Sequence, residues 1–514
     1  MCLVRNLGGP DRGPRKGAVE EDSESKLDGE VIRKSDKVIV VRKQVNKDAN
    51  ALAESVERRA LAKRNPRVYP EGGTQSPSES EIGLERVGEA AKDRTVRFDN
   101  LLHHVTVTRL RQAYFELNRK AAAGVDGVSW QGYGNGLGEK LEKVHQRIHS
   151  GRYRAQPVKR IWIPKADGRK RPIGITCVED KVVQQALVQV LEAIYEKDFL
   201  GFSYGFRPGR SQHGALDALS MAITTRKVSW VLDADIEGFF DHIDHTWLKR
   251  FLEHRIADRR ILRMIERTLS AGVIDEGQWQ ATQKGVPQGA VISPLLANIY
   301  LHYVLDTWVH VWRTRCARGD VYVVRYADDF VIGLQYQKDG KTLLYALHQR
   351  LARFGLLLHS KKTRLIEFGR FAAPNRVERG VRKPKSFEFL GFTHSCGRTR
   401  KGRFTVRRRS NAGRQRELLQ KIKCWLKHHA SLAVRHQGSQ LRQVVWGYYQ
   451  YHAVPGNIGV LQAMRREVNR LWFRALRRRS QRHNLSWTRM NRLTRRYIPA
   501  ATILHAYPSE RFAC

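Results

Sequence analysis

The sequence predicts an α+β protein that ends in an all-helical region. Short β-branched segments such as VSWVLDADI and VVRYADDFVIGL have the apolar character of buried strands. Longer segments such as EDKVVQQALVQVLEAIYEKDF carry apolar residues at helical spacing. After about Asn411 only the helical pattern continues, so we expect the strands to lie in the middle of the chain.

The composition indicates a polyanionic partner. The chain has 514 residues and a formal net charge of +43. Such an excess of positive charge destabilises a compact fold by self-repulsion unless a polyanion neutralises it. Nucleic acid is therefore the first expectation, and an anionic membrane surface is the second. No apolar run reaches the roughly 18 residues of a transmembrane helix, so we expect no membrane-spanning segment.

The charge is unevenly distributed along the chain. Residues 1–95 carry 19 basic and 17 acidic residues and are rich in Gly, Ser and Glu, which predicts a largely disordered or linker segment. Residues 401–514 carry 25 basic and only 3 acidic residues. The six cysteines lack C-x-x-C spacing and predict neither a zinc module nor a disulfide framework. Together with the lack of a signal-peptide pattern, they favour a reducing cytoplasm.

Two segments of the middle region have well-defined local patterns. Val158–Ile175 alternates apolar and polar residues on both sides of an Asp-Gly turn, which predicts a β-hairpin with a cationic tip. ISPLLANIYLHYVLDTWVHVW predicts one long helix with Ser293 as its N-cap and Pro294 in the first helical position.

Three aspartates stand at the ends of predicted strands. Asp235 ends VSWVLDADI, and Asp328 and Asp329 lie at the turn of the hairpin VVRYADDFVIGL. A bare Asp-Asp pair is most often ordinary turn chemistry. Here the flanking strands are apolar, an aromatic residue precedes the pair and the chain is strongly basic. If the strands are neighbours, the three carboxylates converge and repel one another unless a cation lies between them, as Mg²⁺ does in two-metal phosphoryl transfer.

Seven ordered motifs resemble those of one known family. RYADDFVIG resembles the catalytic box of reverse transcriptases, DADIEGFFDHIDH their first palm motif, and KGVPQGAVISPLLANIYL the box before the catalytic hairpin. The remaining four, RIWIPKADGRKRPIGI, SYGFRPGRSQHGAL, LLLHSKKTRLIEFG and FEFLGFTH, stand in the order of that family. Between Leu101 and Arg511 the chain is most similar to the reverse transcriptase/maturases encoded by bacterial group II introns.

The resemblance implies a right-hand polymerase fold. Fingers and palm, with an antiparallel catalytic sheet, would occupy residues 96–395. A helical thumb/maturase domain would follow at 396–495, and a short tail at 496–514. Many members of the family carry a C-terminal endonuclease with paired cysteines and histidines, but no such set occurs here, so we expect no endonuclease domain.

The resemblance also assigns the metal site. Asp235 and Asp328 would bind two Mg²⁺ ions, for which Mn²⁺ can substitute. Asp329 would be an accessory acid, and the backbone carbonyl of Ile236 would complete one coordination shell. All three aspartates are therefore candidate catalytic residues.

Six residues are candidates for nucleotide binding by the same resemblance. Lys165 and Arg171 would hold the incoming triphosphate, Arg171 in a bidentate manner. Phe240, five positions after Asp235, matches the aromatic residue that blocks a ribose 2′-hydroxyl, although a place in the apolar core is the alternative. Gln288 would pack against the nucleotide.

The other two candidates are Gly289 and Lys362. A glycine at position 289 would allow close backbone approach. Lys362 matches a lysine thought to act as an acid toward pyrophosphate, although the adjacent Lys361 leaves the register open.

The helical C-terminal region is the candidate RNA-binding surface. Arg477, Arg478 and Arg479 form a cationic run in a segment with few acids, and such runs pair with phosphates. For the aromatic residues Trp446 and Trp472, the simpler interpretation is a place in the hydrophobic core.

The function that follows is RNA-directed DNA polymerisation combined with help in splicing and moving a group II intron by target-primed reverse transcription. Expected partners are the intron RNA, an RNA template with a DNA primer or target DNA, and dNTPs. The expected location is the bacterial cytoplasm, with association to the nucleoid during work on DNA. Two alternatives remain open: recruitment of the same fold to phage defence or CRISPR, and an RNA-binding maturase without polymerase activity. The sequence does not decide between a monomer and a dimer.

Overall fold

The computed structural model describes residues 79–512, apart from 165–167, 169, 382–383 and 480–484. Most of the predicted disordered or linker segment, 1–95, lies outside the described residues. Its last part is folded, however, because a helix covers Glu79–Ala90 and buries Val87 against the large core. The folded region therefore begins before the predicted boundary at residue 96.

The strands of the described residues form three sheets. They are β1 (Val158–Pro164), β2 (Lys170–Ile175), β3 (Trp230–Asp235), β4 (Val273–Asp275), β5 (Gln278–Gln280), β6 (Val321–Tyr326), β7 (Asp329–Leu334), β8 (Arg364–Glu367), β9 (Phe387–Phe389), β10 (Phe392–Arg398) and β11 (Phe404–Ser410).

The helices of the same residues come before, between and after these strands. They are α1 (Glu79–Ala90), α2 (Val107–Glu116), α3 (Trp130–Gly134), α4 (Leu137–His149), α5 (Val178–Asp198), α6 (Gln212–Thr225), α7 (Phe239–His242), α8 (His245–Glu253), α9 (Arg259–Leu269), α10 (Ser293–Leu301), α11 (Thr307–Arg315), α12 (Gln337–Arg353), α13 (Ala372–Glu378), α14 (Ala412–His428), α15 (Val434–His452), α16 (Ile458–Arg477), α17 (Trp487–Tyr497) and α18 (Pro508–Phe512). None of these described helices has the length and apolar character that crossing a membrane requires.

The central sheet has the antiparallel strand order β6-β7-β3-β8. Its residues alternate between two cores, as the period of two in a strand requires. Leu232 and Ile332 on one face join the large core, whereas Val231 and Val331 on the other join a second core built on α6. Both faces of the sheet are thus covered, which explains why the residues of its strands are mostly apolar.

A second sheet has the order β2-β1-β4-β5. β1 and β2 form the predicted antiparallel hairpin, with Ile161 opposite Ile173. The residues predicted for the tip of this hairpin lie largely outside the described residues.

The long helix predicted from Ser293 differs from the prediction in two respects. Ser293 is the first helical residue and not the N-cap, because Ile292 before it already has helical dihedral angles (φ −79°, ψ −22°). An extended conformation, which a capping side chain needs, is therefore not available there. The helix is also interrupted by a π turn at His302–Asp306, which separates α10 from α11.

The C-terminal region starts with strands and continues with helices. The predicted boundary at 395/396 falls inside β10, which pairs with β11 and β9 in a three-stranded sheet. Helices begin at α14, whose N-cap Asn411 accepts a hydrogen bond from the Arg414 backbone N–H at 3.0 Å. Their shared core includes Trp472, which is fully buried, whereas Trp446 is 42% exposed.

We expect Trp472→Ala to destabilise the helical C-terminal region and Trp446→Ala to leave it nearly unchanged. Trp472 loses core packing and its indole hydrogen bond to Gln437 (3.1 Å), so the cost is ~3–5 kcal/mol. The exposed Trp446 serves as the matched control, with a cost of about 0.5 kcal/mol. Amide hydrogen exchange in α15 and α16 measures both, and equal protection in the two variants would contradict the packing described here.

Candidate active site

The register of the central sheet brings the three predicted aspartates together. Asp235 at the end of β3 lies directly opposite Asp329 at the start of β7. Asp328 is at the turn between β6 and β7, next to Ala327, whose φ of 57° is in the left-handed region. All three carboxylates therefore meet at one end of the sheet.

Their proximity changes the protonation of two of them. Burial, followed by the neighbouring carboxylates of Asp235, Asp233 and Asp328, raises the pKa of Asp329 to about 8. Burial and the carboxylate of Asp235 also raise the pKa of Asp328. A backbone hydrogen bond from Leu390, in the turn between β9 and β10, partly offsets the rise at Asp329. The site thus concentrates carboxyl groups whose negative charge is disfavoured unless a proton or a cation neutralises part of it.

Cationic side chains balance part of this charge. The ammonium group of Lys362 contacts Asp235, and Arg364 on β8 pairs with Asp233 at 3.0 Å. Among the described residues, no group of three or more His, Cys, Asp or Glu side chains forms a ready-made metal site. The carboxylates and their raised pKa values fit divalent ions whose coordination is completed by other ligands, as Mg²⁺ bound to substrate phosphates is.

The backbone carbonyl predicted as a metal ligand lies at the same end of the sheet. Ile236 is buried directly after Asp235 and forms an isolated antiparallel bridge with Leu358. The Asp235 carbonyl itself accepts a hydrogen bond from the His359 backbone N–H at 2.8 Å. The chain after β3 is therefore held by the segment that leads to Lys362.

A chain of side chains connects the β1–β2 hairpin to this region. Arg171 Nε donates a hydrogen bond to Gln288 Oε1 at 2.7 Å, and Gln288 Nε2 donates to Asp241 Oδ1 at 3.1 Å. Two predicted nucleotide-binding residues are thus in contact. Lys165, the other cation predicted on this hairpin, lies outside the described residues.

Gly289 is required by backbone packing against β2. Its φ is 116°, and a Cβ there would lie 2.6 Å from the carbonyl oxygen of Gly174. The neighbouring Gln288 carbonyl accepts a hydrogen bond from the Gly174 N–H at 2.7 Å. The close backbone approach expected at Gly289 therefore occurs between this glycine and the backbone of β2.

The two adjacent phenylalanines of the first acidic motif have different environments. Phe239 is buried in the large core, whereas Phe240 is only partly buried. Their rings are 5.4 Å apart in an edge-to-face arrangement. Phe240 thus keeps part of its surface accessible a few residues from Asp235, which suits a residue that faces a ligand.

Comparison with known proteins agrees with these features. Residues 163–394 match the family model "Reverse transcriptase (RNA-dependent DNA polymerase)". Protein YkfC of Escherichia coli (strain K12) is 35% identical over 276 residues, which cover 47% of this chain and 72% of that protein. The chain belongs to the reverse transcriptase family.

Proteins of introns are also similar to this reverse transcriptase. The group II intron-encoded protein LtrA of Lactococcus lactis subsp. cremoris is 42% identical over 172 residues, which cover 33% of this chain and 28% of LtrA. An uncharacterized 91 kDa protein in the cob intron of Schizosaccharomyces pombe is 43% identical over 169 residues, 33% of this chain and 21% of that protein. The chain thus spans under a third of the length of both intron proteins.

Membership in the family confirms three predictions. These comparisons confirm the resemblance to a group II intron-type reverse transcriptase and the enzyme class of RNA-directed DNA polymerase. They also confirm the right-hand polymerase fold followed by a helical region. Members of this family depend on divalent metal ions.

Several residues of the candidate site were not found from the sequence. Asp233, Asp241 and Leu390 contact predicted site residues but were not among the candidates. Asp233 and Asp241 lie inside the acidic motif DADIEGFFDHIDH, and an acid in the middle of an apolar strand was a usable signal. The Leu390 contact depends on long-range packing that no local pattern shows.

We expect metal affinity to rise as the pH is raised through about 8. Asp329 with a pKa of about 8 is largely protonated at neutral pH, so a divalent ion must compete with a proton there. Raising the pH from 6.5 to 9 removes that proton and should strengthen Mn²⁺ binding, measured by electron paramagnetic resonance of free Mn²⁺. Asp329→Asn should flatten the profile. A wild-type affinity that does not change with pH would contradict this prediction.

Proposed function

We propose that this reverse transcriptase serves a group II intron, copying RNA into DNA and binding its intron RNA to assist splicing and mobility. The observation that carries the catalytic part is the pairing of Asp235 with Asp329 beside Asp328. The similarity to LtrA supports the intron part. Work on intron RNA and target DNA would occur in the bacterial cytoplasm.

The metal-binding residues in this proposal are Asp235, Asp328, Asp329 and the carbonyl of Ile236. Mg²⁺ is the proposed ion, in two copies, and Mn²⁺ can replace it. When bound, such ions activate the primer hydroxyl and neutralise charge that develops on the phosphates. Asp329 remains an accessory acid, consistent with its raised pKa.

The proposed reaction is attack of the primer 3′-oxygen on the α-phosphorus of a dNTP. A new phosphorus–oxygen bond forms, and the bond to the pyrophosphate leaving group breaks. Arg171 and Lys165 would hold the triphosphate, and Gln288, oriented by Arg171 and Asp241, would lie beside the nucleotide. Gly289 fixes the backbone next to Gln288. The protein's contribution is mainly positioning and electrostatic stabilisation.

Lys362 is the residue that we assign to product release. Its ammonium contacts Asp235, and its side chain is 56% exposed. Lys362 would give up this contact when Asp235 binds a metal ion, and its ammonium could then donate a proton to the departing pyrophosphate. The same lysine thus neutralises first a carboxylate and then a phosphate.

The proposed RNA surface lies on α16 and α17. The exposed arginines of these helices and of the residue that follows α16 include Arg474, Arg477, Arg478, Arg489, Arg492, Arg495 and Arg496. Arg479 differs from these, because it is partly buried and donates a hydrogen bond to the Leu432 carbonyl at 2.6 Å. Burial lowers the pKa of Arg479, so we assign it a structural role within the surface.

Asp328→Ala should abolish primer extension. Loss of a group that holds charge-stabilising ions lowers kcat by roughly 10³-fold. The assay extends a DNA primer on an RNA template with Mg²⁺ and dNTPs. The exposed Asp99→Ala serves as the control and should keep full activity. Near wild-type extension by the Asp328 variant would remove the catalytic proposal.

Phe240→Ala should weaken discrimination against ribonucleotides. The smaller side chain opens space beside the sugar 2′ position, so the ratio of rNTP to dNTP incorporation should rise at least ~10-fold. Phe240→Tyr keeps the ring and should keep the discrimination. Single-nucleotide incorporation kinetics measure both ratios, and an unchanged ratio in the alanine variant would assign Phe240 to the core alone.

Replacing both Arg477 and Arg478 with Gln should weaken binding of intron RNA. Two lost phosphate contacts lower the affinity and reduce the salt slope by about two. The matched control replaces Arg315 and Arg318, which are also exposed but precede β6, with Gln. Filter binding at several salt concentrations measures affinity and slope.

The Arg477/Arg478 double variant should also splice more slowly, whereas Asp328→Ala should bind and splice normally. Equal affinity and slope in the two double variants would show that α16 is not the RNA surface. A splicing defect in a folded Asp328 variant would show that polymerisation and splicing share one site.

A further inference from the structure

Arg325 lies next to the turn between β6 and β7 that contains Ala327 and Asp328. It belongs to β6, two residues before Ala327 and three before Asp328, and it is fully buried. All its strand neighbours on β6 are apolar or aromatic. A guanidinium in such a place costs free energy unless its N–H groups find acceptors.

All three guanidinium nitrogens of Arg325 donate hydrogen bonds. Nε and Nη2 donate to the two carboxylate oxygens of Asp306 at 2.7 and 2.5 Å. Nη2 also donates to Ser203 Oγ at 2.6 Å. Nη1 donates to Asn298 Oδ1 at 3.1 Å and to the Ala327 carbonyl oxygen at 3.0 Å. The last bond connects a buried ion pair to the turn itself.

The position of the Ala327 carbonyl determines the orientation of Asp328. It belongs to the planar peptide that joins Ala327 to Asp328, so fixing its oxygen fixes the direction in which Asp328 leaves the turn. The left-handed conformation of Ala327, with φ of 57°, is unfavourable for a residue with a Cβ. The surroundings must therefore hold this turn in place.

The backbone of Gly205 packs closely against the same turn. A Cβ at Gly205 would lie 2.4 Å from the Ala327 nitrogen, so the two backbones are in close contact. The Gly205 carbonyl accepts a hydrogen bond from Asn298 Nδ2 at 2.6 Å. Asn298 thus braces both Arg325 and the segment that packs against Ala327.

The π turn accounts for the position of Asp306. Asp306 is fully buried and is the last residue of the π turn His302–Asp306, which interrupts the helix. A π turn holds more residues than an α-helical turn, and such turns are frequent at functional sites. The irregular helix therefore supplies the carboxylate that holds Arg325.

We propose that Arg325 is a positioning residue that holds the Ala327 carbonyl and so directs Asp328 toward the metal-binding position. The proposal rests on the proposed function, because it takes Asp328 as a metal ligand. Buried ion pairs contribute little net stability compared with well-packed apolar residues. A positional role accounts for the Arg325–Asp306 pair where stability alone does not.

The test compares Arg325→Lys with Arg255→Lys in the full-length chain. Lysine keeps the positive charge but cannot reach Asp306 and the Ala327 carbonyl together. Arg255 is the matched control: it is equally buried and paired with Asp198 (3.1 Å), but its hydrogen bonds go to the Ala91 and Asp93 carbonyls. Mn²⁺ affinity is measured by electron paramagnetic resonance, alongside thermal unfolding and the kcat and KM of single-nucleotide incorporation.

Arg325→Lys should weaken Mn²⁺ binding and lower kcat by ~10–100-fold, as loss of groups that orient metal ligands does. KM for primer–template should stay within about two-fold, because that surface is untouched. Arg255→Lys should show a similar fall in melting temperature without the loss of Mn²⁺ affinity. If Arg325→Lys does not fold, Asn298→Ala, which keeps the Arg325–Asp306 pair, should still lower Mn²⁺ affinity several-fold.

Wild-type Mn²⁺ affinity in the Arg325 and Asn298 variants, or equal losses in the Arg325 and Arg255 variants, would overturn the inference alone. Unchanged Mn²⁺ binding in Asp328→Ala would instead overturn the proposed metal site, and the inference with it. The two failures are therefore distinguishable.

Discussion

The antiparallel pairing of β3 with β7 is the constraint on which the rest of the site depends. It places Asp235 opposite Asp329 and leaves Asp328 at the adjoining turn. Because side chains alternate along a strand, a slip of one residue in this register would move Asp235 to the other face of the sheet. The two cores on either side of the sheet prevent that slip, since each accepts only one set of apolar residues.

The same pairing creates an electrostatic cost that the fold balances locally. Burial at this end of the sheet, together with repulsion between neighbouring carboxylates, raises the pKa values of Asp328 and Asp329. Lys362 and Arg364 contact the carboxylates of β3, and Arg325 donates a hydrogen bond to the Ala327 carbonyl in the adjoining turn. The fold thus keeps this cluster of acidic residues at the expense of stability.

Local patterns in the sequence were sufficient for much of the fold and for the acidic centre. The β1–β2 hairpin, the hairpin of β6 and β7, helix α5 and the strand ending in Asp235 all follow from residue periodicity. Ser293 was assigned wrongly as an N-cap because the pattern does not show that the chain is already helical at Ile292.

Long-range contacts were the part that the sequence did not reveal. Arg325 binds Ser203, Asn298 and Asp306, which come from three other segments of the chain. No spacing rule links such residues, although a charged residue within the apolar run VYVVRY is itself a signal. The contact of Lys362 with Asp235, 127 residues earlier, belongs to the same class.

The strand order β6-β7-β3-β8 has a consequence for the synthesis of the protein on the ribosome. β3 lies between β7 and β8, and both of these strands come later in the chain. Until they emerge, β3 is an apolar strand with two unpaired edges, which makes it prone to incorrect pairing and aggregation. Closing such distant pairs is also slow compared with forming local helices. The central sheet is therefore incomplete until β8 has been translated, and slower translation between β3 and β8 extends the period in which β3 remains unpaired.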